Sequence, residues 1–242
     1  MSAKEKGTLY GLGMGPGDPG LVTLKALEIV KRVPVVFAAS SSKNTYSLAL
    51  NTVRDHLRPE VEIHLLDFPM TKDREALHAA WEANAWAVLA VLESGRDAAF
   101  LTIGDPLTYS TYGYLLKTVL RLDPRAKVET VPGITAYQAA ACKLSIPLVE
   151  GNESLMVVSG VSDPADIERL VDCADNLVIM KAYRNYDAII DALENGRDKR
   201  CSYLVSRCGL PEETVHHDPA SLKGSNMPYL SLVIAKRPPE EE

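Results

Sequence analysis

The chain has 242 residues, 46% of them hydrophobic, enough to bury a sizeable core as one large or two small domains. Its net charge is −6, the ends carry Lys4-Glu-Lys6 and Glu240-Glu-Glu242, and the absence of a basic stripe argues against a nucleic-acid partner. No apolar run approaches a membrane span and the N-terminal stretch lacks an apolar signal core, which predicts a cytoplasmic protein with no membrane partner. The four cysteines, Cys142, Cys173, Cys201 and Cys208, lack C-x-x-C spacing. That pattern predicts reduced thiols, three of them in the core, and neither a zinc site nor a disulfide framework.

In chain order, a short apolar strand from Thr8 runs into a loop holding Gly11, Gly13, Gly15, Gly17 and Gly20. A glycine loop at the carboxyl end of a first strand is where α/β sheets bind ligands. Two familiar ligands are excluded by spacing. In G-x-G-x-x-G the last glycine would fall on Pro16 or Asp18, and the second strand, Val35–Ser40, ends without an acidic residue for a ribose. The P-loop pattern fails because Leu21-Val22 follows Gly20 where Lys-Ser/Thr is required.

Leu24–Lys31 has helical periodicity behind Thr23 as N-cap, and Pro34–Ala38 reads as a buried strand. A polar loop over 40–44 leads to a helix from Tyr46 to Leu57, then an alternating strand over Val61–Leu65. Asp73 or Thr71 is placed to cap a long helix from Arg74 to Ser94 that stops at Gly95. Trp81 and Trp86 on that helix are read as packing residues. Ala98–Ile103 is an apolar strand delivering a second glycine turn, Gly104-Asp105-Pro106. A helix over Tyr112–Leu122 and a strand over Lys127–Val131 follow, ending in a third turn, Pro132-Gly-Ile-Thr-Ala136. Five strands alternating with helices predict parallel βαβ units.

Strands at Ser154–Ser159, Asn176–Met180 and Cys201–Val205, with helices near Pro164–Val171 and Tyr186–Glu194, predict a second α/β region. Glu213–His216 and Tyr229–Ala235 have no room for crossover helices and read as a hairpin, which makes that sheet mixed. Breaks at Ile146-Pro147 and Gly151-Asn152 place the division between residues 1–146 and 147–242. His216 and His217 are neighbours on a strand, point to opposite faces and do not suggest a metal site.

The three turns together, in this order and spacing, with Leu21-Val-Thr-Leu-Lys25 after the first, resemble the tetrapyrrole methylases. These are the S-adenosylmethionine-dependent methyltransferases of cobalamin and sirohaem synthesis. The resemblance runs from Leu9 to Lys236. Within the family, Phe68-Pro-Met70, Leu101–Asp105 with Ser110-Thr111, Met180–Tyr183 and Pro228–Ser231 are similar to enzymes methylating C20 of precorrin-2 or cobalt-factor II. Ser47–Leu50 before Val53-Arg-Asp55 resembles the cobalt branch more.

The resemblance implies two α/β domains, a parallel-sheet N-terminal and a mixed-sheet C-terminal one, with a cofactor cleft between them, and a homodimer. It places Pro16, Gly104, Asp105, Thr108, Thr135, Ala136, Met180 and Cys208 on the cofactor. Lys181, Thr108 and Cys208 depart from the commoner residues of the wider family.

Methyl transfer from a sulfonium to an electron-rich meso carbon needs alignment more than a nucleophilic side chain, and no Ser-His-Asp or Cys-His device is visible. A base assisting loss of the C20 proton is sought among Asp105, Tyr109, Tyr112 and Tyr183. Asp105, between Gly and Pro, also suits a turn acceptor of backbone amides. A polycarboxylate substrate calls for cations, for which Lys181, Arg184 and Arg207 at second-domain strand ends are placed, with Tyr183 beside them. Methylation of another corrin-ring carbon or of uroporphyrinogen III, and a tetrapyrrole carrier without turnover, are the competing functions.

Overall fold

The structure, a computed structural model, describes residues 5–40, 47–160, 164–196 and 200–238. The charged ends at Lys4 and Glu240–Glu242, the polar loop expected over 41–44 and the helix start expected at Tyr46 lie outside the described residues. Internal packing divides the chain into two units, Met1–Thr135 and Ala136–Glu242, a division ahead of the expected one after residue 146.

The first unit alternates strand and helix: β1 Thr8–Gly13, α1 Leu24–Val30, β2 Val35–Ser40, α2 Leu48–Val53, β3 Glu62–Asp67, α3 Arg74–Glu93, β4 Ala98–Thr102, α4 Tyr112–Leu122 and β5 Lys127–Val131. All five strands are parallel, in the order β3-β2-β4-β1-β5. Side chains alternate across the pleat, so β1, β2 and β4 feed two cores. Leu9, Val35, Phe37 and Phe100 pack with Val88, Leu89 and Leu92 of α3 and Leu115 and Val119 of α4. Tyr10, Leu12, Val36 and Leu101 pack with Ile29 and Val30 of α1 and Leu50 and Val53 of α2. Helices on both faces are why β4 reads as an unbroken apolar run; every residue of it is buried.

Local signals set the helix ends. Thr23 Oγ1 accepts the Ala26 amide at 3.3 Å, and Ser47 Oγ accepts that of Leu50. Asp73, not Thr71, caps α3, accepting the amides of Glu75 and Ala76 at 2.9 and 3.3 Å. Gly95 at φ +78° ends it. Trp81 stacks on Tyr114 with centroids 4.5 Å apart, whereas Trp86 faces outward, 56% exposed, contrary to its reading as a packing residue.

The second unit contains α5 Ala136–Leu144, β6 Leu155–Ser159, α6 Pro164–Val171, β7 Asn176–Met180, α7 Tyr186–Asn195, β8 Cys201–Ser206, β9 Thr214–His216 and β10 Ser231–Lys236. Its sheet runs β6-β7-β10-β8-β9, with β6 and β7 parallel and every other pair antiparallel. The expected hairpin of β9 with β10 does not form. β9 folds back on β8, and β10 inserts between β7 and β8. Burial explains the choice. Every residue of β10 is buried, with Val233 and Ala235 in the core of α6 and α7 and α5 packed against the strand. In β9, Thr214 is exposed and Val215 and His216 only partly buried, which suits an edge.

Helix α5 is absent from the sequence reading. Its alanines favour helix and Ala139, Ala140 and Ala141 are buried, but the Pro132-Gly133 turn signal directly upstream masks its start.

Candidate active site

The site in the first unit is built where β1 ends between β4 and β5. Their registers place Gly13 beside Thr102 and Leu12 beside Val131, so the three glycine turns leave from neighbouring strand tips. They interlock. The Met14 amide donates to the Thr102 carbonyl at 2.9 Å and the Gly104 amide to that of Gly15 at 2.6 Å. A Cβ on Gly13 would stand 2.5 Å from the Gly133 nitrogen, and one on Gly133 would stand 2.3 Å from the Gly104 carbonyl oxygen. Gly13 and Gly133 are therefore glycines because backbone meets backbone across strands.

Gly104 is different. Its φ is +70°, and a Cβ added there would meet nothing within 4 Å. It leaves an open backbone ledge at the carboxyl tip of the sheet, the kind of surface a compact ligand can approach closely.

Asp105 organises the turn beside that ledge. Its Oδ1 accepts the Leu107 amide at 2.9 Å and the Thr108 hydroxyl at 3.1 Å, while Oδ2 accepts the Gly133 amide at 3.2 Å. The carboxylate thus ties the second turn to the third, the acceptor role foreseen for an Asp between Gly and Pro. Ser110 closes the loop, sharing a 2.8 Å hydrogen bond with the Thr102 hydroxyl and accepting the Tyr112 amide at 3.1 Å. Pro16 and Thr135 are buried here, Thr108 is partly buried, and Tyr109 is 53% exposed with φ +52°.

Tyr112 is not available as a base. Its ring is fully buried beneath Gly11, where an added Cβ would meet the tyrosine Cζ at 2.0 Å. Its hydroxyl lies 3.1 Å from that of Thr130, and burial raises its pKa above the ordinary tyrosine value. The position is a core position: the helical period of α4 turns residue 112 into the sheet.

In the second unit, β7 and β8 end on either side of the start of β10, with Met180 beside Leu232 and Ser206 beside Ser231. Lys181, Tyr183, Arg184 and Arg207 are thereby brought to one end of one sheet. Lys181 and Arg207 have φ of +56° and +54°, a left-handed conformation costing a non-glycine residue roughly 1–2 kcal/mol. Lys181 and Arg184 are exposed, and Arg207 pairs with Glu212 at 2.7 Å. Arg184 Nε donates to the Tyr183 hydroxyl at 2.9 Å, and the Tyr183 ring lies 5.2 Å from that of Tyr229, to which the sequence reading gives no site role. Met180 is partly buried at its strand end, Ala136 opens α5, and Cys208 is buried just beyond β8.

Cys142, Cys173 and Cys201 are exposed, against the expectation of three core thiols; Cys208 alone is buried. Burial, then the neighbouring Glu213 carboxylate, pushes the Cys208 thiol up to about 12. A thiol-reactive dye at pH 8 is therefore expected to label Cys142, Cys173 and Cys201 rapidly and Cys208 only on unfolding. Mass mapping that finds Cys208 among the fast sites would contradict its burial. His217 packs edge-on against Tyr203, and no group of three or more His, Cys, Asp or Glu is placed to hold a metal among the described residues. Among those residues no helix is long and apolar enough to cross a membrane.

Residues 8–222 match the Tetrapyrrole (Corrin/Porphyrin) Methylases. The chain belongs to that family. This tetrapyrrole methylase is 32% identical to the cobalt-precorrin-2 C(20)-methyltransferase of Salmonella typhimurium, over 96% of this chain and 97% of that one. It is 34% identical to the precorrin-2 C(20)-methyltransferase of a Sinorhizobium species, over 97% of each. A uroporphyrin-III C-methyltransferase from Thermus thermophilus, solved with S-adenosylhomocysteine, superposes with a TM-score of 0.68 at 26% identity, covering 95% of this chain and 92% of that one.

Proposed function

We propose that this chain transfers a methyl group from S-adenosylmethionine to C20 of a precorrin-2-type macrocycle in cobalamin synthesis, with cobalt-factor II as the preferred form. The observation that carries this reading is full-length similarity to two relatives both named for C20 methylation. The glycine cradle supports it, because the open space at Gly104 would let a compact donor approach the backbone closely.

The donor, when bound, supplies an electrophilic methyl on a sulfonium, and the protein's task is alignment. Orientation of this kind is worth on the order of 7–11 kcal/mol of barrier. In the first unit Gly104 gives access, Asp105 fixes the turn, and Pro16, Thr108 and Thr135 complete the donor contacts. In the second unit those contacts are Ala136, Met180 and Cys208. Lys181, Arg184 and Arg207 receive the carboxylates of the macrocycle, beside Tyr183. With Tyr112 in the core, Asp105, Tyr109 and Tyr183 are the candidates to accept the proton lost from C20. A homodimer in the cytoplasm belongs to the same reading.

The test offers the purified protein S-adenosylmethionine with metal-free precorrin-2 and, separately, with cobalt-factor II. The expected result is a gain of one methyl, mapped to C20 by NMR and faster with the cobalt form. A methyl on another carbon would reassign the position, and macrocycle binding with no mass gain would make the protein a carrier. Charge reversal at Lys181, Arg184 or Arg207 should raise KM for the macrocycle; a cation whose reversal leaves KM unchanged drops out of the site.

A further inference from the structure

Between β8 and β9 the chain makes a seven-residue turn in which Arg207, Gly209 and Glu212 all have left-handed φ, +54°, +74° and +66°. Two of the three are not glycine, so the turn is strained and persists only where its surroundings over-determine it. Its backbone bonds among the described residues are three: the Arg207 amide reaches the Leu230 carbonyl at 2.8 Å, the Leu210 amide the Arg207 carbonyl at 2.9 Å, and the Glu213 amide that of Leu210 at 3.2 Å. Arg207 also pairs with Glu212 across the turn at 2.7 Å, and a further restraint comes from Glu213.

The Glu213 side chain is only 18% exposed. One oxygen accepts the Gly209 amide at 2.6 Å, and the other pairs with Lys143 Nζ at 3.1 Å. The Cys208 thiol is hydrogen-bonded to the same carboxylate. Burial opposes its ionisation, but the Gly209 amide and the Lys143 ammonium outweigh burial and hold its carboxyl below the ordinary glutamate value. Lys143 stands in the last turn of α5, the helix that begins at Ala136. A single carboxylate therefore joins the turn carrying Cys208 to the helix carrying Ala136.

We propose that Glu213 is the positioning residue for the donor contacts of the second unit: it clamps the left-handed turn after β8 to α5 and so sets the affinity for S-adenosylmethionine. The inference rests on the reading above that Cys208 and Ala136 touch the donor. Glu213 touches neither donor nor macrocycle in this scheme and acts through the two segments it joins.

Calorimetric titration of the full chain with S-adenosylhomocysteine tests it. Glu213→Ala, which leaves the Gly209 amide and the Cys208 thiol without their acceptor, should weaken binding about thirtyfold. Glu213→Gln keeps a carbonyl acceptor for Gly209 and loses the charge facing Lys143, so a loss of about fivefold is expected. Asp175→Ala serves as the stability control. Asp175 binds the Ser154 amide and hydroxyl at 2.8 and 2.7 Å and Arg237 at 2.8 Å, just before β7 at the other end of the sheet. Its loss should lower the melting temperature and leave the affinity unchanged.

Equal binding by unaltered protein and both Glu213 variants overturns the clamp alone. So does a loss in Asp175→Ala as large as in Glu213→Ala, because general destabilisation would then account for both. If Glu213→Ala does not fold, the Gln variant decides by the same criterion. Absence of S-adenosylhomocysteine binding by the unaltered protein overturns the donor reading and the clamp with it.

Discussion

Gly133→Ala should destabilise the protein by about 3 kcal/mol or more and abolish binding of S-adenosylhomocysteine, with a melting temperature lowered by roughly 10 °C. The new methyl would lie 2.3 Å from the Gly104 carbonyl oxygen and 2.7 Å from the Gly13 Cα. Both neighbours are backbone, and both are fixed by hydrogen bonds between adjacent strand tips, so neither yields cheaply. Relief requires moving the turn after β5 away from those after β1 and β4, which breaks the Gly133 amide to Asp105 bond as well.

Gly104→Ala is the informative contrast. Its methyl has space, and the φ of +70° costs about 1 kcal/mol. That variant should fold and yet bind S-adenosylhomocysteine at least about tenfold more weakly, because the added carbon fills the ledge. Thermal unfolding followed by circular dichroism, with calorimetry on the folded variant, checks both. A Gly133→Ala protein melting within about 2 °C of the parent would mean the turns are looser than their geometry requires.

The contrast between these glycines marks where sequence reasoning stops. Spacing alone locates Gly13, Gly104 and Gly133 at strand ends and excludes the dinucleotide and P-loop patterns. It does not say that two of the three face protein backbone and only one faces open space, because that depends on which strands are neighbours. Strand order is not chain order: β1 lies between β4 and β5, and β10 between β7 and β8. The hairpin expected for β9 and β10 fails for the same reason, since chain proximity favours that pairing and burial of every residue of β10 overrules it.

Features written in a few adjacent residues were legible. The Thr23 and Asp73 caps, the Gly95 stop, and the residue bounds of α4, β5, α6 and β7 all follow from local chemistry. Features that join distant segments were not. Tyr112, opening a predicted helix, reads as one candidate base among four, but helical phase turns it beneath Gly11. Glu213 reads as an ordinary strand residue, yet its partners lie on a turn and on a helix the sequence reading omits.

Asp105→Ala should weaken S-adenosylhomocysteine binding about a hundredfold while the protein remains folded. The carboxylate accepts two amides and a hydroxyl, and it alone connects the turn after β4 to the Gly133 amide through a side chain. Removing it leaves those donors to find water or rearrange, at about 1–3 kcal/mol each where water cannot reach them. Asp105→Asn separates this role from proton transfer. The amide keeps one oxygen for Leu107 and Thr108 but turns an N–H toward the Gly133 N–H, so binding should fall by about tenfold, between parent and Ala. A general base would behave otherwise: the Asn variant would bind donor and macrocycle normally and lose turnover, along with the acidic limb of its rate profile. Undiminished donor binding by Asp105→Ala would remove the three interlocked turns from the donor site, because the Asp105 carboxylate ties the second turn to the third.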